Sequence, residues 1–476
     1  MNEVVATEDI VRASARGLRN KLDKPTVKGG EEVDAFQREH RPLTGDTVSA
    51  IPGSSASSSS GSDGRRRLLA DGVDEVYTEA PNALRAVVYL VDFCGWKNPF
   101  RSPQEFRKYL FANETGALEA NLQSYYGTCS YGKATWDPAN VVVVGPIQLE
   151  CQGRMAGGTG IPFNAATSCS LSEEMYWTRA AEQQGQQLAV RDPKLKEILQ
   201  FTKRRRSMVI LPSDAKCGFS GHGDQACQDI CSTVVMARNG VPNIYSMFHE
   251  LQHNYGLGHA GRAANPYGDG SDPMGTHASI NSGLQCHNAP QNWRMGWAGP
   301  IPGGHLTAAN FTPAANRLTL TIPAASTSDQ NMVILRLGLQ SPQPGAPAIA
   351  YPNYFISYRV RNATFGGYDS GLPAAFHRKV TIHAYNGTTD DRDGNTTSLQ
   401  DAGPRFTRPD SAFPAGDGWM APFSPLDPAT GLGGGLRVRV VSTSATSAVV
   451  ELCRMYAQTE GVRGSADCRT NLDRDW

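Results

Sequence analysis

The sequence predicts an α+β fold: a mixed α/β domain over residues 79–300, then a β-rich, sandwich-like domain over 301–476, with a flexible segment at 1–78 before both. Three observations predict it. Between Leu84 and Pro300, short and wholly apolar runs alternate with longer amphipathic stretches, the pattern of buried strands and packed helices. After residue 300 apolar residues recur at period two between Pro- and Gly-rich turns, the pattern of strands buried on one face. Before residue 79 neither pattern is present.

Taken in order, the lead is charged and polar, then Ser- and Gly-rich from Gly53 to Gly64, then basic at Arg65-Arg66-Arg67. Such a composition cannot supply a core. The Arg triplet reads either as a solvated charge run or as a processing site that frees a pro-segment. A buried strand is expected over Arg85–Asp92, with further strands at Val141–Val144 and Met208–Leu211. Helices are expected within Ser102–Tyr126 and over Ser172–Gln187. Arg317–Ile322, Met332–Arg336, Tyr354–Tyr358, Lys379–His383 and Leu436–Val440 supply the strands of the β-rich part.

The chain has 476 residues, long enough for two or three domains. Its 45 basic side chains are balanced by 45 acidic ones, which removes the argument for a nucleic-acid partner. Apolar runs such as Ala86–Leu90 fall far short of the roughly 20 residues a membrane-spanning helix needs. Ten cysteines, spread without C-x-x-C pairs, read as disulfides rather than a zinc ribbon. Asn-x-Ser/Thr sequons at Asn113, Asn310, Asn362, Asn386 and Asn395 point the same way, to a secreted, extracellular protein. Met1–Lys28 has no apolar stretch like that of a signal peptide, which conflicts with that expectation.

The chemistry is concentrated in His249-Glu-Leu-Gln-His-Asn-Tyr-Gly-Leu-Gly-His259. Two His four residues apart on a helix project from one face, at the separation that lets both imidazoles reach one zinc ion. Pro242-Asn243 offers the helix start, and Ile244, Phe248 and Leu251 an apolar stripe. Gly256 lets the chain turn so that His259 returns as a third ligand. Three neutral His leave one tetrahedral position for water, and Glu250 beside the first His is the natural general base. Composition alone would generate this elongated motif in only ~1 in 50,000 such chains. In the stretch Tyr267-Gly-Asp-Gly-Ser-Asp-Pro-Met-Gly275, Met274 reads as a turn methionine packing beneath the metal site. The other reading of Asp269 and Asp272, a calcium loop, is disfavoured by their position just after the zinc motif.

These motifs resemble the gametolysin-like metallopeptidases (peptidase family M11, metzincin type) of green algae and their relatives. Val91-Asp-Phe-Cys-Gly95, Tyr354-Phe-Ile-Ser-Tyr-Arg359, Tyr368-Asp-Ser-Gly-Leu372 and Val380-Thr-Ile-His383 extend the likeness to about residues 80–385. The resemblance implies a metzincin-like catalytic domain with a twisted mixed sheet above the active-site helix and a β-rich domain after it. It also implies a secreted zinc endopeptidase, made as a precursor, that acts on proline-rich extracellular-matrix or cell-wall glycoproteins. Thr276 stands where some metzincins carry a Tyr, so no Tyr contact is expected from that position. Residues 1–93 contain no Cys, so a cysteine-switch pro-segment is not expected either.

Weaker candidates read as structural. Cys217, His222, Cys227 and Cys231 favour a disulfide and a surface His over a second metal site. Lys203–Arg206 reads as a solvated basic turn, and His277, His287 and His383 as structural histidines. Ser232–Met236 fits either an edge strand for pairing with substrate or a core strand. The competing function is a non-catalytic matrix-binding or adhesion protein on a metallopeptidase scaffold. Zinc content with chelator-sensitive cleavage separates the two.

Overall fold

The computed structural model describes residues 82–457 and 468, apart from 119, 156–159, 203–204, 228, 238–239, 241, 277–282, 339–352, 386–396, 401–411 and 430. The N-terminal segment 1–78, Lys203, His277, Asn386 and Asn395 lie outside the described residues. Within them the protein is mixed α+β, rich in strands and with few helices.

The first sheet contains β1 (Arg85–Asp92), β2 (Val141–Gln148), β3 (Arg205–Leu211), β4 (Gly221–Gly223) and β5 (Ile230–Met236). Their order is β2-β1-β3-β5-β4, parallel except for β4, which runs antiparallel to β5 at the edge. Strands in a parallel sheet are covered on both faces, which is why β1 reads as an unbroken apolar run. Alternate residues point to opposite sides. Ala86, Val88 and Leu90 join the core that holds Phe248 and Leu251, while Val87, Tyr89 and Val91 join another with Trp177 and Ala181. Helices α1 (Leu122–Cys129) and α3 (Ile244–His253) pack on the first face, and α2 (Leu171–Leu188) on the second.

One expectation is corrected here. Arg205 and Arg206 are not in a solvated turn; both lie in β3 and are buried. Arg205 makes a two-pronged ion pair with Glu182, 2.7 Å on each arm, and Arg206 lies 4.4 Å over the Tyr255 ring. Paired or stacked charges of this kind tolerate burial. Of the two readings of Ser232–Met236, the structure shows the core strand: it lies in β5 between β3 and β4, and β4 forms one edge of the sheet.

In the second half, six strands run in the order β6 (Ala260–Arg262), β11 (Thr397–Leu399), β10 (Lys379–Tyr385), β9 (Asn353–Arg359), β8 (Gln330–Arg336) and β7 (Gly299–Thr307). Ala412–Phe413 also pairs with β10. A four-stranded sheet, Arg317–Pro323, Ser447–Met455, Gly435–Thr443 and Gly418–Met420 in that order, lies against it. Val333, Ile356 and Ile382 from the first and Ile322, Val438 and Val450 from the second share one core. The larger sheet recruits β6, the strand directly after His259, into the β-rich region.

All ten cysteines are paired: 94 with 151, 129 with 286, 169 with 217, 227 with 231 and 453 with 468. Cys217, Cys227 and Cys231 are thereby all in disulfides and not thiolate ligands.

Candidate metal centre and active site

Helix α3 starts at Asn243, whose side chain accepts a hydrogen bond from the Tyr245 amide. Ile244, Met247, Phe248 and Leu251 face the core, and the Phe248 ring stacks on Tyr125 at 3.9 Å. The opposite face carries His249, Glu250 and His253, each less than 10% exposed. Gly256, at φ 81°, ends the helix in a conformation that residues with a side chain rarely adopt. The chain then reverses, and a ring nitrogen of His249, His253 and His259 all come within 4.8 Å of one another.

The orientation of each ring follows from its other nitrogen. His249 donates its Nδ1–H to Pro273 O at 2.7 Å, and His253 donates its own to Leu257 O at 2.7 Å. That leaves both Nε2 atoms as bare acceptors, 3.1 Å apart. Two lone pairs at that distance repel unless a cation lies between them, so the donor set fits a metal ion. Burial, reinforced by the neighbouring His, pushes His253 and His259 down to about 3, so both stay neutral as ligands must. Among the described residues, this is the only group of three or more His, Cys, Asp or Glu placed to hold a metal.

Glu250 lies under the edge strand. Burial pushes its carboxyl up to about 8, opposed by His222 and by the Gly223 amide. The strand approaches this closely because β4 has glycine at both ends. A Cβ on Gly221 would stand 2.6 Å from Glu250 Cγ, and one on Gly223 would overlap the Glu250 carbonyl oxygen. Between them His222 pairs with Glu174 of α2. Sequence reasoning missed this Gly-His-Gly contact; the two glycines flanking a histidine were its only signal.

Met274 is fully buried in a small cluster with Leu257 and Ala260, one residue past the Pro273 carbonyl that holds His249. Its turn is clasped by Ala260, whose N–H donates to Met274 O and whose carbonyl accepts from the Asp269 amide. Asp269 accepts from Ser271, Asn288 and His383, and Asp272 from the Met274 and Asn288 amides. Both carboxylates are fully buried and occupied within the protein, which leaves nothing for a calcium loop. His287 pairs with Asp272 and His383 with Asp269, so each has a buried carboxylate partner. Tyr267 comes from the same turn; its ring lies 4.0 Å from that of His259, and the Thr276 hydroxyl holds its carbonyl at 2.6 Å.

A family model described as gametolysin peptidase M11 matches residues 84–411, a span that holds the His cluster, the edge strand and the Met274 turn. The autolysin of Chlamydomonas reinhardtii is 38% identical over 463 residues, covering 86% of this chain and 71% of the relative. Matches this long, running through both the first sheet and most of the second, place the chain in the gametolysin peptidase M11 family, a family of metallopeptidases.

Proposed function

We propose that this peptidase is a zinc-dependent endopeptidase, with His249, His253 and His259 as the ligands and Glu250 as the general base. The observation that carries the reading is the convergence of three imidazoles beside a buried carboxyl. An all-imidazole set of three suits zinc and leaves a position open for reaction. When bound, zinc supplies Lewis acidity that polarises a carbonyl and acidifies water.

The chain's own groups do the rest. Glu250, in its ionised form, takes a proton from the attacking water as the new C–O bond forms, and returns it to the amine as the C–N bond breaks. Pro273 O and Leu257 O hold the His249 and His253 rings in register. Substrate lies extended along the outer edge of β4, pairing backbone to backbone, which agrees with a chain of balanced charge.

The wider reading is a metzincin-like catalytic domain over 79–300 and a sandwich-like β domain over 301–476. The mixed sheet, the helix ending in glycine, the third His and the buried turn Met274 support it. Five disulfides favour an oxidising, extracellular setting. The proposed substrates are proline-rich matrix or cell-wall glycoproteins, a reading with which the relative's name, autolysin, agrees. The test is elemental analysis of the purified protein with cleavage of such a glycoprotein before and after chelation. One zinc per chain and chelator-sensitive cleavage are expected; glycoprotein binding that survives chelation, with no cleavage, would instead establish a non-catalytic matrix-binding protein.

A further inference from the structure

A side chain of the β-rich region reaches the turn that supports His249. His383, on β10, directs Nε2 at Asp269 Oδ2, 2.9 Å away, with both side chains fully buried and 114 residues apart in sequence. Its Nδ1 has no partner among the described residues, so Nε2 carries the proton and donates it to the carboxylate. Asp269 uses its other oxygen for the amide and hydroxyl of Ser271, at 2.8 and 2.6 Å. This fixes the start of the turn whose end presents Pro273 O to His249. The backbone gives a second connection: β10 pairs with β11, with His383 opposite Leu399, and β11 pairs with β6, with Thr397 opposite Ala260, the residue after His259.

We infer that His383 is a positioning residue for the metal centre: acting through Asp269, it sets the turn that orients His249, so the β-rich region completes the active site. The inference rests on the zinc reading above. Partners that orient a ligand from behind typically change metal affinity or activity 10–100-fold when removed.

The test compares His383→Leu, which removes the donor, with His383→Gln, which restores an N–H. Zinc affinity is measured by chelator competition and ligand geometry by the visible bands of the cobalt(II)-substituted protein, with kcat, KM and melting temperature determined with and without metal. The expected result for His383→Leu is zinc binding weakened about 10–100-fold, shifted cobalt bands and a lower kcat at little-changed KM. His383→Gln is expected to recover most of each. Wild-type zinc affinity and cobalt bands in His383→Leu would overturn the inference, as would a loss of melting temperature equal with and without metal. Should His383→Leu fail to fold, His383→Asn, too short to reach Asp269, is read by the same criteria. A wild-type protein without metal or cleavage would instead remove the zinc reading itself, so the two failures are distinguishable.

Discussion

His249 and His253 face each other through Nε2 at 3.1 Å because each has its Nδ1–H committed to a carbonyl, Pro273 on one side and Leu257 on the other. Neither ring can turn away without breaking a buried hydrogen bond. Glu250 sits beside them but outside the ligand set. Removing a ligand and removing the base should therefore have different effects. His259→Ala is expected to lower metal stoichiometry in elemental analysis. Glu250→Ala is expected to keep the metal and lose about 10²–10⁴-fold in kcat, the usual contribution of a general base. Retained proteolysis in Glu250→Ala would remove the proposed mechanism.

Acid should destabilise the metal-free protein in a defined window. His253 and His259 titrate at about 3 when folded, against 6.5 ordinarily, so below 6.5 the unfolded chain takes up protons that the folded one refuses. Their contribution is complete above about 6.5 and lost as pH falls toward 3. Asp269 stays ionised across that range: burial alone would raise it, but His383 and the hydrogen bonds of Ser271 and Asn288 outweigh that and hold it at about 2. Calorimetric melting of chelated protein from pH 7 to 4 should show the fall. A flat profile would mean that the rings are not buried neutral.

The edge strand tolerates no side chain where it crosses Glu250. Gly223→Ala drives a Cβ into the Glu250 carbonyl oxygen, a backbone atom that cannot swing aside. The expected cost is about 1–3 kcal/mol of stability, as for other overpacked sites. A reduced kcat/KM should accompany it, because the strand must lift off the base. Wild-type melting and kinetics would show that β4 lies farther from α3.

Arg359 and Asp369 form a fully buried, two-pronged ion pair at 2.6 Å on each arm, and Asp369 also accepts from the Cys286 amide. Asp369→Ala leaves the guanidinium buried without its counter-charge. A loss of about 3–5 kcal/mol is expected in denaturant unfolding. A change below about 1 kcal/mol would indicate that water reaches Arg359.

Cys129 and Cys286 join α1 to the segment after the Met274 turn across 157 residues. Replacing both with Ser should cost about 2–5 kcal/mol, because the unfolded chain regains a large loop. Unfolding of the double variant under non-reducing conditions measures it.

Much of this protein follows from local pattern. The His249–His253 spacing, the Gly256 turn and His259 required only the geometry of one helix and one reversal. The strands of both sheets could be read from their apolar residues, continuous in β1; β8 and β9, expected to be buried on one face, are instead covered on both, Val333 and Leu335 by the four-stranded sheet and Met332 and Ile334 by Trp293 on the other side. The even cysteine count anticipated complete pairing. Other features could not be read from pattern, because each depends on a partner distant in sequence. Arg205 looks solvated until Glu182 is beside it, and His222 looks like a surface residue until Glu174 and Gly221 bring it to the base. His383 looks like a core histidine until Asp269 meets it. The sequence by itself determined which residues could hold a metal, since the three His lie within one short segment. Only the tertiary structure decided what holds that centre in place, because buried charges and close strand crossings are compensated by groups that folding alone brings together.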